Sequence, residues 1–173
     1  MKRSYLPMLA VALVFCAAGA WFGARQFQSG PATPSAVDQF YSRTLPDAAG
    51  APAEMKQWKG RPLVLNFWAT WCAPCVEEMP ELTALQKELQ PKNVQILGIG
   101  IDNPANISAF ADKYKIGYPL YVAGMEGSEL SRQLGNQAGG LPFTVLVDAS
   151  GNVKKTYLGR LKMEELRRDI AAM

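Results

Sequence analysis

Two cysteines separated by two residues lie between an apolar run and a segment with helical periodicity. The motif WCAPC covers residues 71–75, and the apolar run covers residues 63–68. At the start of a helix, free backbone N–H groups and the helix dipole stabilise a thiolate at the first cysteine, Cys72. The second, Cys75, lies one turn later and can attack a mixed disulfide on the first. The pattern therefore predicts a buried strand that leads into a redox-active cysteine pair at a helix start.

Other uses of a cysteine pair fit this chain poorly. A structural zinc site needs four Cys or His ligands. The chain has no His, and its third cysteine, Cys16, lies in a membrane-like segment and is assigned no redox role. A purely structural disulfide would close too short a loop to stabilise the fold much. The order of strand, Trp-Cys-x-Pro-Cys and helix thus favours thiol–disulfide exchange, and no metal site is predicted.

The first thirty residues predict an export segment that precedes the folded domain. Lys2 and Arg3 come before an apolar stretch over residues 5–23, which is long enough to span a membrane. The small residues over 18–20 also match a cleavage site. Residues 1–30 are therefore a signal anchor, which we favour, or a cleaved signal peptide.

The basic residues around the apolar stretch predict its orientation. Two precede it and one, Arg25, follows it, which places the N terminus in the cytoplasm. The protein would then be a single-pass protein of the inner (cytoplasmic) membrane with its domain in the periplasm, or a soluble periplasmic protein if the signal is cleaved. Disulfide chemistry suits that compartment.

Composition defines a tether and one domain, and it argues against nucleic acid as a partner. Residues 31–38 are rich in Pro and Ser and predict a flexible tether. Residues 39–173 are long enough for one domain with a core. Lys2, Arg3 and Arg25 account for the net charge of +3, since no acidic residue precedes Asp38. The domain is therefore neutral and lacks the basic excess of a nucleic-acid-binding protein.

Hydrophobic patterning predicts alternating strands and helices in the domain. Strands are predicted over residues 40–45, 63–68, 94–101, 118–122, 141–147 and 153–158. Helices are predicted from the cysteine pair to residue 89 with a kink at Pro80, from Asn103, from a cap at Ser128, and from Lys162. This order predicts an α/β fold in which helices cover a mixed sheet.

Three groups of residues carry a resemblance to a known family. They are the run VLNFWATWCAPC over residues 64–75, the Cys-x-x-Glu-x-Pro pattern that ends at Pro80, and Gly140-Leu141-Pro142. Together they resemble the thioredoxin superfamily, and more narrowly its TlpA/ResA-like membrane-anchored thiol–disulfide oxidoreductases. The resemblance covers the chain from about residue 40 onward. It implies a thioredoxin-like fold, a central mixed sheet flanked by helices, with a strand–helix insertion at about residues 118–135.

The resemblance also assigns roles to residues around the pair. Cys72 would be the attacking thiolate and Cys75 the resolving thiol. Pro142 matches the superfamily's cis-proline, which lies against the cysteine pair and leaves the neighbouring backbone, at Leu141, free to pair with an extended substrate segment. Read without the resemblance, Pro142 is simply a proline at the head of a strand.

Two residues of the motif itself are expected to shape the site. Trp71 would form its rim and shield it, and Pro74 would set the backbone between the cysteines. Trp68, at the end of the apolar run, is expected in the core.

Resolution of a mixed disulfide needs a proton acceptor for Cys75. Thioredoxin has a buried Asp on the strand before its cysteines, and Asn66 occupies the matching position here. In the TlpA/ResA group the acceptor is a glutamate, which corresponds to Glu78. Its i+3 spacing places Glu78 on the helix face of Cys75, and burial there would raise its pKa. The alternative is that Glu78, with Glu77, only favours the helix N terminus electrostatically.

These residues predict an extracytoplasmic enzyme that reduces disulfides in exported proteins through its dithiol, with no cofactor beyond the Cys72–Cys75 disulfide. The resemblance implies a membrane electron donor of the DsbD/CcdA type, and apocytochrome c, whose haem-binding thiols must be reduced, as a substrate.

Other functions remain open at this stage. The pair could work in the opposite direction, as a disulfide oxidant or isomerase. It could also act as a non-catalytic redox sensor whose disulfide state controls the binding of a partner. A peroxidase is disfavoured, because the Pro-x-x-x-Thr-x-x-Cys signature of peroxiredoxins is absent.

Overall fold

The computed structural model describes residues 35–173, which contain seven strands and five α-helices. The strands are β1 (Thr44–Pro46), β2 (Pro52–Glu54), β3 (Leu63–Trp68), β4 (Gln95–Gly100), β5 (Leu120–Val122), β6 (Phe143–Val147) and β7 (Val153–Leu158). The helices are α1 (Ala36–Tyr41), α2 (Ala73–Leu89), α3 (Pro104–Tyr114), α4 (Glu126–Gln133) and α5 (Met163–Ala171), with short 3₁₀ turns at Met55–Trp58 and Gln90–Lys92.

A five-stranded mixed sheet forms the centre of the domain, in the order β5-β4-β3-β6-β7. The middle strand, β3, runs parallel to β4 and antiparallel to β6. Every residue of β3 is buried, as its continuous apolar pattern predicted for a strand covered on both faces. This centre confirms the predicted α/β fold with a mixed sheet.

Side chains of β3 alternate between two hydrophobic clusters, one on each face of the sheet. Val64 and Trp68 pack with the buried faces of α2, α3 and α5. Leu63, Leu65 and Phe67 pack instead with α1 and α4. Since the side-chain period of a strand is two, Asn66 points toward the α2 side. A polar side chain is thereby placed inside an apolar layer, directly beneath the helix that carries the cysteine pair.

The predicted strand–helix insertion is present as β5 and α4. Strand β5 pairs in parallel with β4 and forms one edge of the sheet. The prediction that Ser128 caps this helix is wrong, because α4 begins two residues earlier, at Glu126. The Ser128 carbonyl accepts a hydrogen bond from Ser131 Oγ instead.

The start of the domain differs from the sequence-based expectation. A strand was predicted over residues 40–45, but residues 36–41 form α1 and the strand begins at Thr44. The Ser35 side chain caps this helix by accepting a hydrogen bond from the Asp38 backbone N–H. In turn, the Asp38 carboxylate accepts a hydrogen bond from the Ser35 backbone N–H. Val37 and Phe40 are buried in the core. The last residues of the predicted tether therefore belong to the folded domain.

Within residues 35–173, no helix combines the length and the apolar character needed to cross a bilayer. The predicted export segment over residues 1–30 lies outside the described residues.

Candidate active site

The cysteine pair lies where β3 passes into α2. Cys72 is the N-cap residue of α2, and its sulfur is joined to that of Cys75 at 2.04 Å. The structure is therefore the oxidised state of the pair. Cys72 retains 6% of its surface, whereas Cys75 is fully buried. An incoming thiol thus meets Cys72 first, which agrees with the roles predicted for the two residues.

The loop before Cys72 is held by an acidic residue at the end of β4. Thr70 donates to Asp102 Oδ2 from its hydroxyl and, at 3.3 Å, from its backbone N–H. Asp102 Oδ1 accepts from the Asn103 N–H and from Asn106 Nδ2. These hydrogen bonds keep the pKa of Asp102 below its ordinary value despite partial burial. A charged Asp102 therefore connects the cysteine loop to the start of α3.

Residues from two separate loops form the rim of the site. Trp71 is 69% exposed, which is the position expected for a rim residue, and Pro74 is exposed on the first turn of α2. The Leu141–Pro142 peptide bond is cis and leads into β6. Trp71 and Leu141 both line a groove of about 620 Å³ that continues past Asp102 to Met125. The groove gives an extended partner a surface that begins at Trp71, the residue before Cys72.

Glu78 is fully buried beneath the cysteine pair, one helical turn after Cys75. Its carboxyl group accepts from Asn66 Nδ2 at 2.8 Å and from the Leu161 backbone N–H at 2.9 Å. Burial raises the pKa of Glu78 from 4.5 to about 7, while the two hydrogen bonds and the charge of Arg160 oppose that rise. A carboxyl group with this pKa exchanges a proton near neutral pH, as a proton acceptor for a thiol must.

Three polar groups near Glu78 were not predicted from the sequence, namely the Thr144 hydroxyl, the Leu161 backbone N–H and the Tyr118 phenol. Asn66 donates its second amide hydrogen to Thr144 Oγ1 at 3.0 Å, which fixes the amide toward Glu78. The Leu161 N–H comes from the connection between β7 and α5. Tyr118 is buried, and its phenol has a raised pKa because of burial and the nearby Glu78 charge. A neutral phenol and neutral donors therefore surround one ionisable carboxyl group.

The structure gathers most of the predicted site residues into one region. Asn66, Cys75 and Glu78 lie on the α2 side of the sheet, and Trp71 and Leu141 meet at the groove. Asp102, Thr144 and Leu161 were missed. Asp102 did carry a signal, since it is an acid directly after a predicted buried strand, but it was assigned no role from the sequence. The catalytic roles stay predictions, while their geometry is consistent with exchange at Cys72 and proton transfer at Cys75.

A protein-family model and a bacterial relative both match most of this chain. The family model described as Redoxin matches residues 28–172. The thiol-disulfide oxidoreductase ResA of Geobacillus thermodenitrificans is 30% identical over 130 residues, which cover 75% of this chain and 72% of that protein.

Solved structures give the same fold. A thiol:disulfide interchange protein of the thioredoxin family from Chlorobium tepidum TLS superposes with a TM-score of 0.62 at 26% identity, covering 83% of this chain and 98% of that one. StoA from Bacillus subtilis superposes with a TM-score of 0.61 at 20% identity, covering 81% and 99%. At that lower identity the likeness concerns the fold alone.

Proposed function

Since this chain belongs to the redoxin family of the thioredoxin superfamily and is a ResA-like thiol–disulfide oxidoreductase, we propose that it works as a reductant of disulfides in exported proteins. The dithiol form of Cys72 and Cys75 would be the active form. The pair itself is the redox group, and no further cofactor takes part.

The reaction consists of two exchange steps. The Cys72 thiolate attacks one sulfur of the substrate disulfide, forms a mixed disulfide and releases the other substrate sulfur as a thiolate, which takes a proton from water. Cys75 then loses its proton to Glu78 and attacks Cys72 Sγ, which releases the second substrate thiolate. That thiolate also takes a proton from water, and Glu78 returns its proton to solvent. The substrate gains two electrons and two protons, and the enzyme is left with the Cys72–Cys75 disulfide.

The buried Glu78 is the observation that carries this proposal. A free cysteine ionises near pH 8.5, and burial pushes that value higher. A buried thiol such as Cys75 therefore needs a base within its own environment. Glu78 is on the same face of α2, fully buried, with a pKa of about 7. Its proton affinity lets it accept the thiol proton and later return it to solvent.

The surroundings of Cys72 favour the reducing direction. A strong oxidant stabilises the thiolate of its reduced form and so favours the dithiol. Between the cysteines this chain has Ala73 and Pro74, which carry no charge and add no such stabilisation. The next charged residues along α2 are the acids Glu77 and Glu78, so no basic side chain of this segment adds such stabilisation either. The reduced pair is thereby a better electron donor.

The proposal extends to location and partners. Residues 1–30 would anchor the protein in the cytoplasmic membrane, with the domain on the extracytoplasmic side, or be cleaved to leave it soluble there. A membrane protein of the DsbD/CcdA type would return electrons to the oxidised pair. Apocytochrome c thiols are the substrate we favour, because they must be reduced before haem attachment.

The equilibrium reduction potential of the pair tests the direction of electron flow. Trp68 and Trp71 are close in sequence to the disulfide, so fluorescence of the full-length protein can follow a series of dithiothreitol or glutathione buffers. We expect a potential near that of thioredoxin, about −270 mV. A value near that of DsbA, about −120 mV, would reject the reductant and make the protein a disulfide donor.

A further inference from the structure

One arginine connects the turn between β7 and α5 to the helix that carries the cysteines. Arg160 Nη1 lies 2.9 Å from Glu77 Oε2, and Arg160 Nη2 lies 2.9 Å from Glu81 Oε1. The next residue, Leu161, donates its backbone N–H to the buried Glu78 at 2.9 Å. Three carboxylates on two turns of α2 thus interact with two consecutive residues of a single turn.

The stability of the fold does not explain this arrangement. Half of the Arg160 side chain is exposed, as are 58% and 46% of the side chains of its two glutamate partners. Ion pairs with this exposure contribute little to the free energy of folding, because water screens them and ordering the side chains costs entropy. The two ion pairs matter more for the environment of Glu78, which lies between Glu77 and Glu81 in the sequence, than for the stability of the fold.

We propose that Arg160 is a positioning residue: it holds the turn at residues 159–161 against α2, so that the Leu161 N–H stays on Glu78 and favours the charged, proton-accepting carboxylate. The inference rests on the proposed role of Glu78 as the base for Cys75. Arg160 does not touch the cysteines, and it acts through the backbone of the next residue and through its charge.

Several groups near Glu78 raise or lower its pKa, and Arg160 holds or pairs with some of them. The Leu161 N–H and Asn66 Nδ2 lower the pKa of Glu78 by hydrogen bonding, and the Arg160 charge lowers it further. The charge of Glu81 raises it, and so does burial, which is the largest influence. Tyr118 is near enough for the Glu78 charge to raise the pKa of its phenol, which therefore stays neutral. Loss of Arg160 would free the Leu161 turn and leave the Glu81 charge unpaired, so each change shifts Glu78 toward its protonated form.

The chain contains a matched control for Arg160. Arg167 Nη2 lies 2.9 Å from Glu88 Oε1 on α2, and Arg167 Nη1 lies 3.0 Å from Glu164 Oε1 on α5. Like Arg160 it pairs with two carboxylates, but only Glu88 is on α2, at the far end of the helix from the turn that contains Glu78. Its replacement removes comparable ion pairs and leaves the site intact.

The experiment is a carboxyl titration in the oxidised full-length protein. With ¹³C-labelled glutamate, the Cδ resonance of Glu78 is identified by its absence in Glu78→Gln and followed against pH. We expect Arg160→Gln to move its midpoint upward by about half a pH unit or more. Arg160→Lys should give a smaller shift, since it keeps the charge but not the two-pronged contact. Arg167→Gln should leave the midpoint unchanged, and thermal unfolding should show that all variants are folded.

A second readout separates this inference from the proposed function. The rate at which Cys75 resolves a mixed disulfide on Cys72 should show the same upward pH shift in Arg160→Gln and approach the wild-type rate at high pH. An unchanged Glu78 midpoint in both Arg160 variants would overturn the role of Arg160, even if Glu78→Gln removes the pH dependence of resolution. If the midpoint shifts as expected but Glu78→Gln resolves normally, the role of Arg160 in ionisation stands and the proposed base is wrong.

Discussion

At the residue scale, the site depends on a carboxyl group buried in an apolar layer. Burial of an acid is unfavourable, because the charged form loses its hydration. Asn66 and the Leu161 N–H compensate part of this cost for Glu78. The compensation is incomplete, since the pKa of Glu78 remains at about 7 rather than 4.5. The fold therefore loses stability in order to keep a group that can bind and release a proton at neutral pH.

This cost predicts that the free energy of unfolding depends on pH through the ionisation of Glu78. The folded protein keeps the Glu78 proton up to about pH 7, whereas the unfolded chain releases it near pH 4.5. The free energy of unfolding of the oxidised protein should therefore fall between these values as the pH rises, by about 3 kcal/mol from this residue. Glu78→Gln cannot ionise and should lack that part of the decline. Urea unfolding of both proteins at pH 5 and pH 8 measures the difference.

Glu88 provides the comparison for this measurement. It is an exposed glutamate on the same helix, so Glu88→Gln should retain the wild-type decline between pH 5 and pH 8. Equal slopes for the wild type and Glu78→Gln would mean that Glu78 is not protonated in the folded protein at neutral pH.

At the scale of elements, the cysteine loop depends on an adjacent strand. Strands β3 and β4 are parallel, so their carboxyl ends lie at the same edge of the sheet. The loop with Thr70 follows β3, and Asp102 follows β4 by two residues. The hydrogen bonds between these residues join the segment before Cys72 to the start of α3. The position of the attacking sulfur is thus fixed by a neighbouring strand as well as by its own helix.

Removal of the Thr70 hydroxyl should loosen this loop without changing the proton acceptor. We expect Thr70→Val to lower the free energy of unfolding by about 1–3 kcal/mol, because the charged Asp102 loses a partner. The attack of Cys72 on a model disulfide should become slower, while the pH midpoint attributed to Glu78 stays the same. Urea unfolding and stopped-flow kinetics over a pH series measure the two effects.

Thr156→Val makes the same chemical change on β7, where the side chain is exposed. It should alter neither stability nor rate by a comparable amount. A Thr70→Val protein as stable and as fast as Thr156→Val would show that the Asp102 contact does not hold the loop.

At the scale of the whole molecule, the layered fold leaves the first cysteine partly accessible and buries the second. Helix α2 covers one face of the sheet and buries Cys75, while the loop at its start leaves part of Cys72 at the surface beside the groove. A partner disulfide can therefore reach the first sulfur but not the second. The architecture predicts a covalent intermediate through Cys72 whose lifetime depends on Cys75.

This order of events predicts that Cys75→Ser captures its substrates. Without the resolving thiol, mixed disulfides with Cys72 should accumulate in cells and survive denaturation under non-reducing conditions. Gel electrophoresis with and without reductant, followed by mass spectrometry, identifies the partners. Cys72→Ser/Cys75→Ser is the control and should capture none. Partners that bind the wild type in one redox state only, with no covalent complex in Cys75→Ser, would favour the redox sensor over the exchange enzyme.

The sequence by itself determined the parts of this protein that depend on local patterns. A continuous apolar run defined β3 over residues 63–68, and the bounds of α2 followed from the cysteine pair and the leucine spacing up to Leu89. The Cys72–Cys75 pairing and the burial of Glu78 on the face of Cys75 also followed from spacing within one helix, together with the family resemblance. These features need few residues, so a short window of sequence contains the information.

Tertiary structure alone decided the features that join distant segments. Leu161 donates to Glu78 across 83 positions, and Thr70 donates to Asp102 across 32. No local pattern contains such pairs, because the sheet order places them together. The N-terminal helix was missed for a related reason: residues 36–38 were assigned to the tether by composition and residues 40–45 to a strand. A helix of six residues is too short for its period to be recognised, and its position depends on the packing of Phe40 with Leu65 and Phe67. Local chemistry thus defined the reacting pair, while the environment that sets its proton transfer depends on long-range packing.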